Sequence, residues 1–218
     1  MSLKIFTGNR MEILVDALAG TVAGPGDPFI PETIVVQSKG MQRWIAMELA
    51  KRFGVWANCR YPFPNSFIGE LFSSVLTDMP DDSPFNPSIL TWRIMEVLPG
   101  LLDDPAFAVL KGYLAGNRRE LKLYQLACRI ADTFDQYTLF RGEMLEGWEG
   151  GGEGHWQALL WRSLVAGAGS CHRWNSRKRF LGELDGWVRK GGNLPARVAV
   201  FGISWLPKFH LDVLSAVS

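Results

Sequence analysis

The sequence predicts an α/β fold in which a parallel sheet is split by a long helical insertion. Three observations predict it. Near the start, two short apolar or β-branched runs are each followed by a turn and an amphipathic helix, the pattern of parallel strands with crossover helices. A third strand–turn–helix returns near the end, and the residues between carry only helical periodicity. The chain has 218 residues, 47 % of them hydrophobic, which suits a folded globular protein with its own core.

Taken in order, residues 3–7 are an apolar run that ends at the turn pair Gly8-Asn9, and are expected to form a buried strand. Met11, Leu14, Ala17 and Leu18 then recur at helical spacing. Residues 24–28 read Gly-Pro-Gly-Asp-Pro, a loop. Residues 33–36 are continuous and β-branched, a second buried strand. After Ser38-Lys39-Gly40, Met41, Trp44, Ile45, Leu49 and Phe53 line one helix face, and Gly54 ends it. The stretch 61–65, with two prolines, reads as a rigid connector. Helical stripes follow, such as Phe67/Leu71/Phe72/Val75, Leu90/Ile94/Val97/Leu101 and Leu123/Ala127/Ile130/Phe134/Tyr137. Gly150-Gly151-Gly152 reads as a flexible break. Residues 197–201 are the returning strand, and 206–217 its helix. The expected organisation is 1–60 as the first part of the sheet domain, 61–193 as helical insertion and 194–218 as the return. Met1-Ser2-Leu3 reads as a start added for expression. The apolar pattern stops at Ser218 with no capping glycine and no polar tail, as expected of the front piece of a longer chain.

Composition excludes several classes. With 23 Lys+Arg against 22 Asp+Glu, the net charge is +1, too little for grip on nucleic acid by bulk charge. No run approaches the ~18 apolar residues of a membrane span. No secretory leader is recognised. Three widely spaced cysteines, Cys59, Cys128 and Cys171, suit reduced thiols in a cytoplasm. A phosphate-binding loop needs a second glycine, a lysine and a hydroxyl after the first strand; Gly8-Asn9-Arg10-Met11-Glu12 has none of them. The returning strand ends in Gly202-Ile203-Ser204, without the acids that hold Mg²⁺. His155, His172 and His210 form no ligand pair, so no metal and no cofactor is expected. The acid pairs Asp81-Asp82 and Asp103-Asp104 fit solvated turns beside prolines.

Certain polar residues are not explained by packing. Gln37 and Lys39 follow a buried strand at its carboxyl end, where open α/β sheets bind ligands, and Arg43 lies one turn further. Such side chains suit base edges and phosphates, and equally suit ordinary helix capping. Asp132, Asp135 and Gln136 point away from the Phe134/Tyr137 stripe, as base readers or as a solvated helix face. His172-Arg173-Trp174 with Arg177-Lys178-Arg179 is the densest basic-aromatic patch, fit for a nucleic-acid backbone or for a charged helix start.

These residues carry a resemblance. Gly8-Asn9-Arg10, Val35-Val36-Gln37-Ser38-Lys39-Gly40-Met41-Gln42-Arg43-Trp44, Phe63-Pro64 with Ser66-Phe67-Ile68, Ala131-Asp132 with Phe134-Asp135-Gln136-Tyr137, and Phe201-Gly202-Ile203-Ser204 resemble the N-terminus of the RecC family, the gamma subunits of bacterial exodeoxyribonuclease V. The resemblance implies the P-loop NTPase-like fold of a superfamily 1 helicase motor with its ATPase motifs lost. It also implies a non-catalytic subunit in a heterotrimer with RecB and RecD, acting in double-strand break repair by homologous recombination. Such a subunit helps split duplex ends and scans the 3′-ended single strand for the Chi sequence. By the same resemblance Gln37, Lys39, Arg43, Phe63, Asp132, Asp135, Gln136, Arg141 and Arg173 fall at DNA-contacting positions, and the family's acids in this helix also serve a latch that opens an exit for DNA. Lys39, Arg43 and Phe63 depart from the threonine, glutamine and leucine of enterobacterial members, and Gly69 replaces a tryptophan. The two added cations imply a different or looser Chi sequence. The alternatives are a scaffold that only docks the motor subunits and a divergent nucleotide hydrolase.

Overall fold

A computed structural model describes residues 3–24, 27, 29–80, 82–169 and 171–218. Met1 and Ser2, most of the loop expected at 24–28, and Asp81 of the Asp81-Asp82 pair lie outside the described residues. The chain is α/β, mostly helical, with a small parallel sheet, and divides into two compact units: Met1–Val75 with Glu183–Ser218, and Leu76–Gly182. No helix among the described residues is long and apolar enough to cross a membrane.

The first unit is built on β1 (Glu32–Val35), flanked by β2 (Cys59–Arg60) and β3 (Val198–Val200) in the order β2-β1-β3. All pairs are parallel: Thr33 faces Arg60 on one side and Val198 on the other. Thr33, Ile34 and Val35 are buried, as a strand covered on both faces requires. Arg197 fixes the start of β3 by pairing with Glu32 and donating to the Thr21 carbonyl at 2.5 Å. Helices α1 (Met11–Val22) and α2 (Lys39–Phe53) bury Val15, Leu18, Ile45 and Leu49 against Ile34, Val36 and Phe201. Gly54, at φ +79°, ends α2. α3 (Pro64–Val75), grouped by sequence with the helical insertion, belongs to this unit and packs on α10 (Lys208–Ala216), with Phe72 edge-on to Phe209 at 6.0 Å.

The second unit contains α4 (Pro87–Leu101), a 3₁₀ turn at Pro105–Phe107, α5 (Ala108–Leu114), α6 (Arg119–Phe140), α7 (Gly142–Glu149), α8 (Trp156–Ala168) and the first part of α9 (Arg173–Arg189). Its core joins Ile94 and Leu98 of α4, Ala127, Ile130 and Phe134 of α6, Leu145 and Trp148 of α7, and Leu160, Trp161 and Leu164 of α8. Asn86 caps α4 by accepting from the Ser88 amide, and Pro87 occupies the first turn.

Two sequence expectations are corrected. Residues 3–7 form no strand: Leu3, Ile5 and Phe6 are exposed, and none of the described strands pairs with them. Apolar and β-branched character suits a pleated surface, but a strand also needs a neighbour for its amides and carbonyls, and the run has none here. Gly150–Gly152 is a hydrogen-bonded helix end rather than a flexible break. Gly151 takes φ +85°, the Gly152 amide donates to the Gly147 carbonyl at 3.0 Å, and the Gly151 amide to the Trp148 carbonyl at 3.0 Å.

Candidate nucleic-acid interface

In the first unit, parallel pairing places the carboxyl ends of all three strands along one edge. Gln37 leaves β1, Phe63 lies just beyond β2, and Gly202 and Trp205 follow β3. The Val36 amide donates to the Pro62 carbonyl at 3.1 Å, which fixes Gln37 and Phe63 on adjoining loops. Gln37, Lys39, Arg43 and Phe63 are all exposed. No ion pair involves Lys39 or Arg43 among the described residues.

This edge also gathers helix N-termini. α2, α3 and α10 each begin just past a strand's carboxyl end. α1 joins them at Gly202, where an added Cβ would stand 2.9 Å from Met41 Cε and 3.2 Å from Met11 Cε. Ser38 caps α2 by accepting from the Met41 amide at 3.1 Å, whereas α1 and α10 have no side-chain cap. Helix N-termini favour acids, yet the first turns of α2, α3 and α10 contain none. Lys39 and Lys208 stand there instead, with Arg43 one turn into α2, all exposed, whereas the first turn of α1 holds Glu12. Cations added to the positive ends of helices make an edge suited to an external anion. Trp205 and Lys208 bracket the end of the loop between β3 and α10; the available sequence signal was their nearness to Gly202-Ile203-Ser204.

The other five residues lie in the second unit. Asp132, Gln136 and Arg141 are exposed, and Arg141 lies 5.7 Å from the Tyr137 ring centre. Asp135 is not on a solvated face: it pairs with Arg173 Nη1 at 2.9 Å, its side chain only 17 % exposed. Burial raises the Asp135 carboxyl above its ordinary value, Arg173 opposes this, and Asp132 adds to it. The basic-aromatic patch is likewise engaged within the unit. Lys178 meets Glu146 at 2.5 Å, Arg179 meets Asp78 at 2.6 Å, and Arg177 stacks over Trp174 at 4.6 Å. These contacts are what a charged helix start makes. Among the described residues, no three His, Cys, Asp or Glu side chains gather as a metal site.

Beside Arg173, His172 is buried at 1 % exposure and stands edge-on to Phe85 and Trp161. Its Nδ1 accepts from the Asn175 amide, which places the proton on Nε2, 2.9 Å from Glu149 Oε1. A cavity of about 280 Å³ opens here, lined by Glu146, Glu149, His172, Trp174, Asn175 and Lys178. Burial holds His172 below its ordinary value, with Glu149 and Glu146 opposing. The unfolded chain therefore takes up this proton at higher pH than the folded one, so the contribution is fully present above about pH 6.5 and is lost as pH falls from there. We expect urea unfolding of the second unit to need less denaturant as pH falls from 7 to 5, and His172→Phe to flatten that decline. An equal decline in the variant would assign it to another group.

The fold and site define an α/β chain with a small parallel sheet, a cationic sheet edge and a separate helical unit. The chain belongs to the RecC N-terminal domain family, whose model matches residues 3–218. It is 38 % identical to the RecBCD enzyme subunit RecC of Escherichia coli (strain K12), over 99 % of this chain and 20 % of that protein. It is 33 % identical to the subunit of the same name from Haemophilus influenzae, over 98 % of this chain and 22 % of that protein. For the Mycolicibacterium smegmatis RecC subunit the identity is 30 %, over 100 % of this chain and 20 % of that protein. The chain thus spans about a fifth of the length of these curated relatives.

Proposed function

We propose that this chain serves the DNA-binding subunit of a RecBCD-type helicase-nuclease, exodeoxyribonuclease V, in double-strand break repair by homologous recombination. It works in the cytoplasm with RecB and RecD partners. Its first unit is a P-loop NTPase-like, superfamily 1 motor-like sheet that has lost its ATPase motifs and binds the 3′-ended single strand in place of nucleotide. The carrying observation is the sheet edge where helix N-termini meet Lys39, Arg43 and Lys208, with no acid in the first turns of α2, α3 or α10. Gln37 is placed there to bond a base edge, and Phe63 to stack on one. In the second unit, the Asp135–Arg173 pair supports the reading of this helix as the latch that opens an exit for DNA. Asp132, Gln136 and Arg141 flank it as Chi-reading contacts.

A salt titration tests the edge. Anisotropy of a labelled 20-mer of thymidine is followed with wild type and with Lys39→Ala/Arg43→Ala. If both cations neutralise phosphates, the double variant's slope of log affinity against log salt is shallower by about 1.4, at ~0.7 per contact on a single strand. An unchanged slope would move the binding site away from this edge.

A further inference from the structure

We propose that Trp205 is a nucleobase-stacking residue, giving the single strand an aromatic face on the opposite side of Gln37 from Phe63. The inference deepens the single-strand reading of this edge and rests on it.

Strand order carries the argument. β1 is central, so its carboxyl-end loop, with Gln37, lies between the loop after β2 and the loop after β3. Each flanking loop presents one aromatic to solvent: Phe63 at 41 % exposure and Trp205 at 64 %. Among nine tryptophans, Trp92 and Trp205 alone exceed half exposure, and Trp92 belongs to the second unit.

The loop that carries Trp205 is anchored on both sides. Before it, Phe201 is buried and stacked on Trp44 at 6.2 Å, and Gly202 takes φ +67° against Met41 and Met11. After it, Pro207 is buried and α10 begins. The helices that follow the two aromatic loops are also tied to each other at their starts. His210, 3 % exposed in the first turn of α10, lies 2.9 Å through Nε2 from Asn65 Oδ1 in the first turn of α3. Phe63 and Trp205 therefore precede two helices whose starts are joined by a part-buried polar contact.

The chemistry fits an unpaired base. An indole face stacks on any base, because every base has a π-face, so it adds hold without sequence preference. Gln37 supplies an amide for a base edge, and Lys39 and Lys208 supply charge for the flanking phosphates. A duplex would keep its bases stacked on one another and offer the indole no face, so the ligand class is single-stranded nucleic acid.

Anisotropy titrations at low salt test this with a labelled 20-mer of thymidine and an abasic strand of the same length, which keeps the phosphates and lacks the bases. Trp205→Ala is expected to weaken thymidine binding about 10-fold. Trp205→Phe should recover most of that loss, and both variants should bind the abasic strand like wild type. A strand carrying 5-iodouracil should photocrosslink to Trp205. If Trp205→Ala binds thymidine within twofold of wild type while Arg43→Ala is weakened, the stacking proposal fails and the edge reading stands. Equal loss on both strands would also overturn stacking, since it reports lost loop structure or charge. If wild type binds neither strand, the edge reading fails and the stacking proposal with it.

Discussion

Replacing Trp161 with alanine is expected to cost the second unit about 3–5 kcal/mol, the range for deleting a large buried aromatic. Trp161 of α8 is fully buried among Phe85 just ahead of α4, Phe134 of α6, Glu149 at the end of α7 and His172 just ahead of α9. Its ring lies 5.3 Å from Phe85, 5.3 Å from Phe134 and 5.2 Å from His172. Its Nε1 donates to Glu149 Oε1 at 2.9 Å, the same oxygen that faces His172 Nε2. Alanine therefore leaves a void and removes a donor from a carboxylate only partly open to water. The melting temperature should fall by more than ~10 °C, at roughly 4–8 °C per kcal/mol for a unit of this size. Faster hydrogen exchange should be concentrated in peptides from 76–182. Trp161→Phe restores the ring without the donor, and separates packing from the hydrogen bond. A melting shift no larger than that of exposed Trp92→Ala would refute the assignment of Trp161 as the centre of this core.

Arg173→Ala is the second large effect. It leaves Asp135, mostly buried, without its cation, and fully buried pairs broken in this way lose ~3–5 kcal/mol. Arg173 is 35 % exposed, so water screens part of the interaction and a loss of about 2–3 kcal/mol at pH 7 is expected. The pH dependence gives the sign. The Asp135 carboxyl already stands above its ordinary value, so the folded state holds this proton more tightly than the unfolded one. That contribution is present at low pH and is lost as pH rises through the folded value. Without Arg173 the folded value rises further, so the deficit of the variant should shrink as pH is lowered from 7 towards 4. Asp135→Asn in the same background should remove most of the deficit at pH 7. A deficit that does not change with pH would assign the loss to packing of the arginine stem. The same variants test the proposed latch role: if breaking this pair opens an exit for DNA, Arg173→Ala should hold it open.

Much of this architecture was legible because its signals are local. Residues 33–36 read as a buried strand since β1 is covered on both faces, and α2 shows its end at Gly54 and its cap at Ser38. β2 was not legible, because two residues just ahead of a proline pair carry no periodicity. Residues 3–7 misled for the opposite reason: their composition is that of a strand, and composition does not supply a neighbour. The rule that ligands gather at the carboxyl ends of parallel strands is what makes Gln37, Lys39 and Arg43 candidates from sequence. The same rule covers the loop after β3, but nothing in residues 202–204 marks the adjacent Trp205, whose exposure only the fold reveals. The Asp135–Arg173 pair was out of reach, because its members stand on different helices and no local spacing relates them.

The parallel sheet also bears on how the chain meets other chains. One of its margins is blunted: β2 is only two residues long, and its Arg60 is engaged by Glu70 at 2.5 Å. The margin at β3 is not, since among the described strands β3 pairs with β1 alone and Val200 remains exposed. The solvent-facing Leu3, Ile5 and Phe6 have the composition of one more strand. A strand margin with no partner among the described strands, together with an exposed run of strand-forming residues, is the combination that favours edge-to-edge association. Lys4, set within that run, places a charge where it opposes such stacking.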